Sequence, residues 1–196
     1  MPNWTDNKAI VEGSEDNIKE LLNTIQNKDG TVNITNINPT PKDLEHIHSG
    51  SAPINGERHE IWLVDDNGDN VGISDFTKSK LLKLYGAINP IDWQYKNWGT
   101  KWGDCNTKIH KKDSNKIELY FESAWGEPFI LLDDLSHQFK VVIENDFCIE
   151  FEEDIHTSMY PLSIMERSDI DAHWKKSLDE QKELIKNMHI ITNEEE

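Results

Sequence analysis

From residue 139 to residue 151 the apolar side chains stand at odd positions, Val141, Ile143, Phe147, Ile149 and Phe151, while the carboxylates Glu144, Asp146 and Glu150 stand at even ones. Successive side chains of a strand point to opposite faces, so this pattern describes a sheet with one face dry and one wet. A slip of one residue would turn every apolar group into water, which fixes the register as well as the face. The stretch reads as one strand, or as two broken near residues 144–146. Residues 116–123 repeat the pattern with Ile117, Leu119 and Phe121. The dry face needs a cover. Ile18, Leu21, Leu22 and Ile25 fall at the spacing of one helical face, behind the cap Ser14-Glu15-Asp16 and before the turn Asn27-Lys28-Asp29-Gly30. Strands and helices in this arrangement predict an α+β fold.

Ala9-Ile10-Val11 predicts a strand before that helix, and the alternating Thr31-Val32-Asn33-Ile34-Thr35 predicts one after it, with Pro39 and Pro41 forcing an extended exit. Residues 42–89 read as an insertion. It holds a short helical start at Lys42-Asp43-Leu44 and a hairpin whose strands, Ile61-Trp62-Leu63-Val64 and Val71-Gly72-Ile73, flank the turn Asn67-Gly68. A helix follows, capped by Ser74-Asp75 and closed by Gly86, with Phe76, Leu81, Leu82, Leu84 and Tyr85 as its apolar positions. Residues 93–103 are too rich in Trp and Gly for an idle linker and are expected at a strand end. Pro128 then opens a helix that buries Phe129, Leu131, Leu132 and Leu135. Residues 166–196 read as a C-terminal amphipathic helix, with Ile170, Trp174, Leu178, Ile185 and Met188 on one stripe, and an acidic tail. The expected organisation is one domain over residues 1–165, carrying the insertion, and that terminal segment.

Composition narrows the function classes. The chain of 196 residues carries 37 Asp and Glu against 20 Lys and Arg, a formal charge of −17, which repels phosphate backbones and attracts basic partners. Direct nucleic-acid binding is not expected. No run of about 18 apolar residues occurs, and Met1-Pro2-Asn3-Trp4-Thr5-Asp6 is not a basic stretch followed by an apolar one, so neither membrane insertion nor secretion is expected. Two distant cysteines, Cys105 and Cys148, suit a reducing cytoplasm.

Strand, helix, strand repeated twice is the split βαβ order of a ferredoxin-like sandwich, an antiparallel sheet with helices on one face. The chain resembles the YubB ferredoxin-like family of phage- and plasmid-encoded proteins. Met1-Pro2-Asn3-Trp4 with Asn7, then Pro39-Thr40-Pro41, then Asn97-Trp98-Gly99-Thr100-Lys101-Trp102, then Phe121-Glu122-Ser123-Ala124-Trp125-Gly126-Glu127-Pro128 carry the resemblance, over roughly residues 1–151. It implies the ferredoxin-like fold and a mobile-element setting. It implies no mechanism, since the family has no assigned chemistry.

Two constellations are candidate sites. Trp4, Trp98, Trp102 and Trp125 each neighbour Asn, Gly or Pro in the sequence or its motif. Grouped at a strand end they form either a packed corner or a recess where a planar ligand stacks on Trp98, Trp102 and Trp125, with Asn97, Thr100 and Lys101 offering donors or charge. Lys101 is also placed to act as a cation–π prop. The second is the acidic stretch Glu144, Asp146, Glu150, Glu152, Glu153 and Asp154, which with Trp174 offers a surface to a basic host protein and otherwise serves as a solvated face.

Other chemistry finds little support. His46-x-His48 begins a metal site, but no third ligand is specified, and no metal or cofactor is expected. Residues 65–70 resemble a calcium loop lacking its central Gly and its bidentate Glu, and read as the hairpin turn. Cys105 has no neighbouring His or Cys, and Cys148 is expected to face away from the odd-numbered row. Asp104 and Glu127 lack a paired group to tune them as bases. The expectation is a non-enzymatic, phage- or plasmid-encoded accessory protein that binds and inhibits or modulates a host protein, with a defence or nucleic-acid-handling factor as the first candidate. The alternative is a nucleotide or signalling-ligand binder using the Trp recess.

Overall fold

The computed structural model describes residues 3–152 and 154–160, and it is a mixed α+β structure with antiparallel sheets. A five-stranded sheet runs in the order β5 (Cys105–Lys112), β6 (Lys116–Ala124), β1 (Trp4–Glu12), β7 (Val142–Ile149), β8 (His156–Tyr160). Every neighbouring pair is antiparallel. The central strand β1 pairs β6 on one side, with Ala9 opposite Leu119, and β7 on the other, with Val11 opposite Ile143. The alternation predicted from sequence is therefore in register across three strands. Thr5, Asn7, Ala9 and Val11, then Ile117, Leu119, Phe121 and Ser123, then Ile143 and Asn145 are all buried on the odd-numbered side.

Two helices supply the cover, α1 (Glu15–Ile25) and α5 (Phe129–Phe139), which touch each other as well as the shared core. Ser14 caps α1 by accepting from the Asn17 amide, and Ile18, Leu21, Leu22 and Ile25 are buried, as their spacing predicts. In α5, Leu131, Leu132, Leu135 and Phe139 are buried, whereas Phe129 at the first turn stays partly in solvent.

The strand predicted over residues 31–35 does not form. Val32 makes a single bridge to Gln26, and Ile34–Ile37 is a 3-10 helix whose Ile34 plugs the core. Alternation over so short a span fits two apolar anchors on a tight turn equally well. Between α1 and β5 the chain builds α2 (Lys42–Glu45), a second sheet of β2 (Ile47–Ile54), β3 (Glu57–Val64) and β4 (Asn70–Gly72), then α3 (Asp75–Tyr85) and α4 (Pro90–Trp98). Asp65 makes the β3–β4 turn, its carboxylate accepting the Asn67 and Asp69 amides at 2.9 Å, and these bonds hold it below the usual carboxylate range. Of the apolar positions expected to be buried in α3, Leu81 is, while Phe76 is 80% exposed and Leu82 and Leu84 also face water. Among the described residues no helix is long and apolar enough to cross a membrane.

Candidate functional site

Residues 93–103 are not a strand-end loop through their length. Asn89 caps α4 by accepting the Asp92 amide, Pro90 sits at its first turn, and Gly99 ends it in the left-handed conformation at φ 87°. A Cβ at Gly99 would lie 2.5 Å from the Phe129 ring, so both the backbone and the space demand glycine. This stop divides the Trp-rich motif in two. On the helical side Trp93 and Trp98 are buried edge to face, ring centroids 5.8 Å apart, and the Trp98 Nε1–H donates to the Asn38 carbonyl at 2.8 Å. Asn97 turns back to donate to the Trp93 carbonyl. Trp98 and Asn97 are therefore parts of the helix and core, and the structure does not bring them to the exposed rings.

Beyond Gly99 the chain turns outward. Buried Thr100 donates through its hydroxyl to the Ala124 carbonyl, tying the loop to the end of β6. The Lys101 ammonium then lies 4.1 Å from the centroid of the Trp102 ring and 4.0 Å from that of Trp125. Each indole also stacks on another ring. Trp4 stacks on Trp102 at 5.9 Å, and Tyr95 of α4 stacks on Trp125 at 6.3 Å and 9° between planes. Four aromatic side chains and one cation form a single array, in which Trp102, Trp125 and Tyr95 are 40%, 48% and 39% exposed. Trp102 and Trp125 both hold left-handed backbone, φ 52° and 66°, a region bulky residues seldom occupy. The Trp125 amide is fixed by the Asn3 carbonyl at 2.8 Å, and the Trp102 amide reaches Gln94 Oε1 at 3.4 Å.

Tyr95 was not legible as part of this site. Recognising Asn89-Pro90 as a helix start would have put Tyr95 on the face opposite Trp93, which is the available signal.

Trp4 is an even-numbered residue of β1 and so continues onto the wet face of the sheet. There Asp6, opposite Glu122 on β6 and Cys148 on β7, and Glu144, opposite Ile10, carry carboxylates outward. Lys8 pairs with Glu118 at 3.5 Å, and Asp146 accepts from Thr157 at 2.7 Å. Glu150 lies at the aromatic end, where its carboxylate accepts the Trp4 amide at 3.0 Å. Of the acidic residues expected to meet a partner, Glu144 and Asp146 are on this face, Glu150 joins the array, and Glu152 and Asp154 are exposed in the turn before β8. Glu152 also lies 3.3 Å from His156. Glu153 and Trp174 lie outside the described residues, as does the predicted C-terminal helix. The odd-numbered apolar row stops at Ile149, because Phe151 turns out to 87% exposure at φ 73°.

On the dry side, beneath the N-terminal end of α5, a polar cluster interrupts the core. Asn7 donates to Ser123 at 2.9 Å, Asn145 donates to Asn7 at 3.1 Å and to Glu127 at 2.9 Å, and Ser158 donates to Glu127 at 2.6 Å. Both Glu127 oxygens are thereby engaged in holding β7 and β8. Asp104 is committed as well, accepting the Thr35 hydroxyl at 2.8 Å and amide at 3.2 Å, and burial raises its carboxyl to about 6. Cys105 beside it is pushed up by burial and by the Asp104 and Glu122 carboxylates, the reverse of what a nucleophilic thiol needs. Cys148 stands on the wet face, half-buried. His46 ends α2, while His48 stacks on Trp62, and no group of three His, Cys, Asp or Glu among the described residues is placed to hold a metal ion.

No protein-family model matches the chain, and no curated protein matches it. Among solved structures, protein api92 from Yersinia pseudotuberculosis, described with the family-model DUF1281, is similar over 82% of this chain and 95% of its own, at 12% identity and a TM-score of 0.43. At that distance the likeness says nothing of this chain's chemistry.

Proposed function

We propose that this chain is a non-catalytic binding protein that captures a protein partner with a basic surface, using the Trp4, Tyr95, Lys101, Trp102 and Trp125 array as anchor and the carboxylates beside it, Asp6, Glu122 and Glu150, as rim. The observation that carries this reading is the array itself: three large aromatic side chains held partly in water, two of them on strained backbone, at the edge of an acidic sheet face. Exposed, rigid Trp and Tyr are the side chains that dominate binding energy at protein interfaces, and complementary charge around them speeds encounter. The two carboxylates considered as bases are occupied in structural hydrogen bonds, which fits a protein without a reaction centre. A neutral planar ligand between Trp102 and Trp125 is disfavoured because it would have to displace the Lys101 ammonium from the ring faces without bringing a positive charge in its place.

The ferredoxin-like reading belongs with this proposal. The order β5-β6-β1-β7, covered by α1 and α5, supports it, and so do the motifs shared with the YubB family. The mobile-element setting and a host protein as the partner rest on that resemblance, and the cytoplasmic location rests also on the two distant cysteines.

The test is affinity capture from host lysate at low and high salt with the wild type, a Trp102→Ala/Trp125→Ala variant and an Asp6→Lys/Glu150→Lys variant. A partner held by the wild type, lost by the aromatic variant, and weakened by charge reversal most strongly at low salt is the expected result. Identical capture by all three proteins would sink the reading.

A further inference from the structure

We propose that the space between the Trp102 and Trp125 indoles is a receptor slot for an arginine guanidinium, closed in the free protein by Lys101 and opened when a partner's arginine takes its place. This rests on the docking reading above and names the group that would be docked.

The slot already holds a cation. Its two distances, 4.1 and 4.0 Å, are well inside the range over which a positive charge is attracted to a ring face. They also place the two ring centroids no more than about 8 Å apart, close enough for one planar cation to touch both rings. A guanidinium taking the ammonium's place therefore meets both rings. Each ring is held by a stacked neighbour, Trp102 by Trp4 and Trp125 by Tyr95. The slot is thus preformed and does not depend on the ligand to order it.

Lys101 is a replaceable occupant. In a chain with 37 carboxylates and 20 Lys and Arg, no carboxylate among the described residues lies within ion-pairing distance of its ammonium, so ring faces are what hold it. A lysine ammonium is compact and strongly hydrated, and released to water it recovers its hydration. A guanidinium is planar, delocalised and weakly hydrated, and stacks on indole faces with less desolvation. Exchange of the first for the second therefore runs toward the slot's better ligand, and the released Lys101 becomes free to meet an acidic group on the partner. In the absence of partner, the tethered lysine keeps loose cations out.

The experiment is a tryptophan-fluorescence titration with N-acetyl-arginine amide, using N-acetyl-norleucine amide as the uncharged control. Lys101→Ala vacates the slot and is expected to bind the arginine compound at least tenfold more tightly than the wild type does, with no response to the norleucine compound. Adding Trp125→Ala should abolish the response. Equal responses of Lys101→Ala and the wild type, or none from Lys101→Ala, would overturn the proposal. Should that variant not fold, proton NMR of the wild type answers the same question. The Lys101 ε-methylene, lying between two ring faces, should resonate upfield and move to its free position as an arginine-rich peptide saturates the protein. An upfield signal that persists at saturation overturns the exchange. Arginine binding without salt-sensitive partner capture would sink the docking reading and leave the slot standing, while capture with Lys101 unmoved would sink the slot alone.

Discussion

Asp104 offers the sharpest test of the local electrostatics. Its carboxylate ties the loop that carries Trp102 to the 3-10 helix through two donors of Thr35. Burial outweighs those bonds and raises its carboxyl from 3.8 to about 6. The folded protein therefore binds this proton more tightly than the unfolded chain does. The stabilisation is fully present below the unfolded value and is lost as pH rises through about 6. Linkage with these two values makes the wild type about 1.4 kcal/mol more stable at about pH 5 than at about pH 7.5 from this group alone. Asp104→Asn has nearly the same shape and no such titration. It presents one acceptor where Thr35 offers two donors, a constant cost of about 1–3 kcal/mol at either pH. Asp29, Asp65 and Glu118, whose carboxyls are held low by their hydrogen bonds, respond to acid in the opposite sense, but equally in both proteins, so they cancel in the difference. Urea denaturation of both proteins at the two pH values measures that difference. The stability gap between wild type and Asp104→Asn should widen by about 1.4 kcal/mol on acidification, a relative midpoint shift of roughly 0.5–1 M. A gap that stays constant, or narrows, refutes the argument that Asp104 is held ionised at a cost.

Gly99→Ala should lose about 2 kcal/mol or more, because the new methyl meets the Phe129 ring on left-handed backbone. A melting temperature within a degree or two of wild type would show that α4 does not need this stop. Asn145→Ala removes the donor that Asn7 and Glu127 share and should cost about 1–3 kcal/mol by urea unfolding. Asn145→Asp should cost more at neutral pH, by facing Glu127 with a second carboxylate, and recover on acidification. Leu21→Ala in α1 should cost about 2–5 kcal/mol and Leu84→Ala in α3 under about 0.5, since the first is fully buried and the second is 57% exposed. Comparable losses would put the core on the wrong face of α3.

The parts of the fold legible in sequence are those where a period repeats several times. The odd-numbered apolar positions of β6 and β7 and the 3–4 spacing of α1 each supply several residues that agree, and all but the terminal Phe151 proved buried or half-buried. Where only two apolar residues set the pattern, as at Val32 and Ile34, a 3-10 turn satisfied both and the strand reading failed. Strand β2 was missed because His48, Gly50 and Pro53 break its alternation, and β8 because His156-Thr157-Ser158 carries no apolar pattern before Met159. In α3 the apolar residues exist, but they are spread around the helix, so periodicity gave no face and burial could not be read. The Trp motif was visible as a feature, yet its division was not. Whether a Trp goes inward or outward depended on Gly99 ending a helix whose cap, Asn89-Pro90, lay several residues upstream.

That division leads to a prediction with opposite consequences for stability and for binding. Left-handed backbone costs a bulky residue about 1–2 kcal/mol, and Trp102 and Trp125 both adopt it. The two ring stacks return roughly 0.5–1.5 kcal/mol each, and the two contacts of Lys101 about 0.5–1 kcal/mol each at an exposed site. Costs and returns are of similar size, so the array supports itself and adds little to the fold. A sequence selected only for stability would place Asn or Gly at these two φ values, where left-handed backbone is cheap. Trp102→Asn and Trp125→Asn should therefore leave unfolding free energy within about 1 kcal/mol of wild type, the backbone relief offsetting the lost contacts, while partner capture and the arginine response disappear. Chemical denaturation beside the capture assay decides it. A loss of about 3 kcal/mol or more in either variant would make the rings structural, and the strain would then be explained by packing. Stability retained with binding abolished would mean that these two tryptophans are kept in water, against their backbone preference, for what they hold.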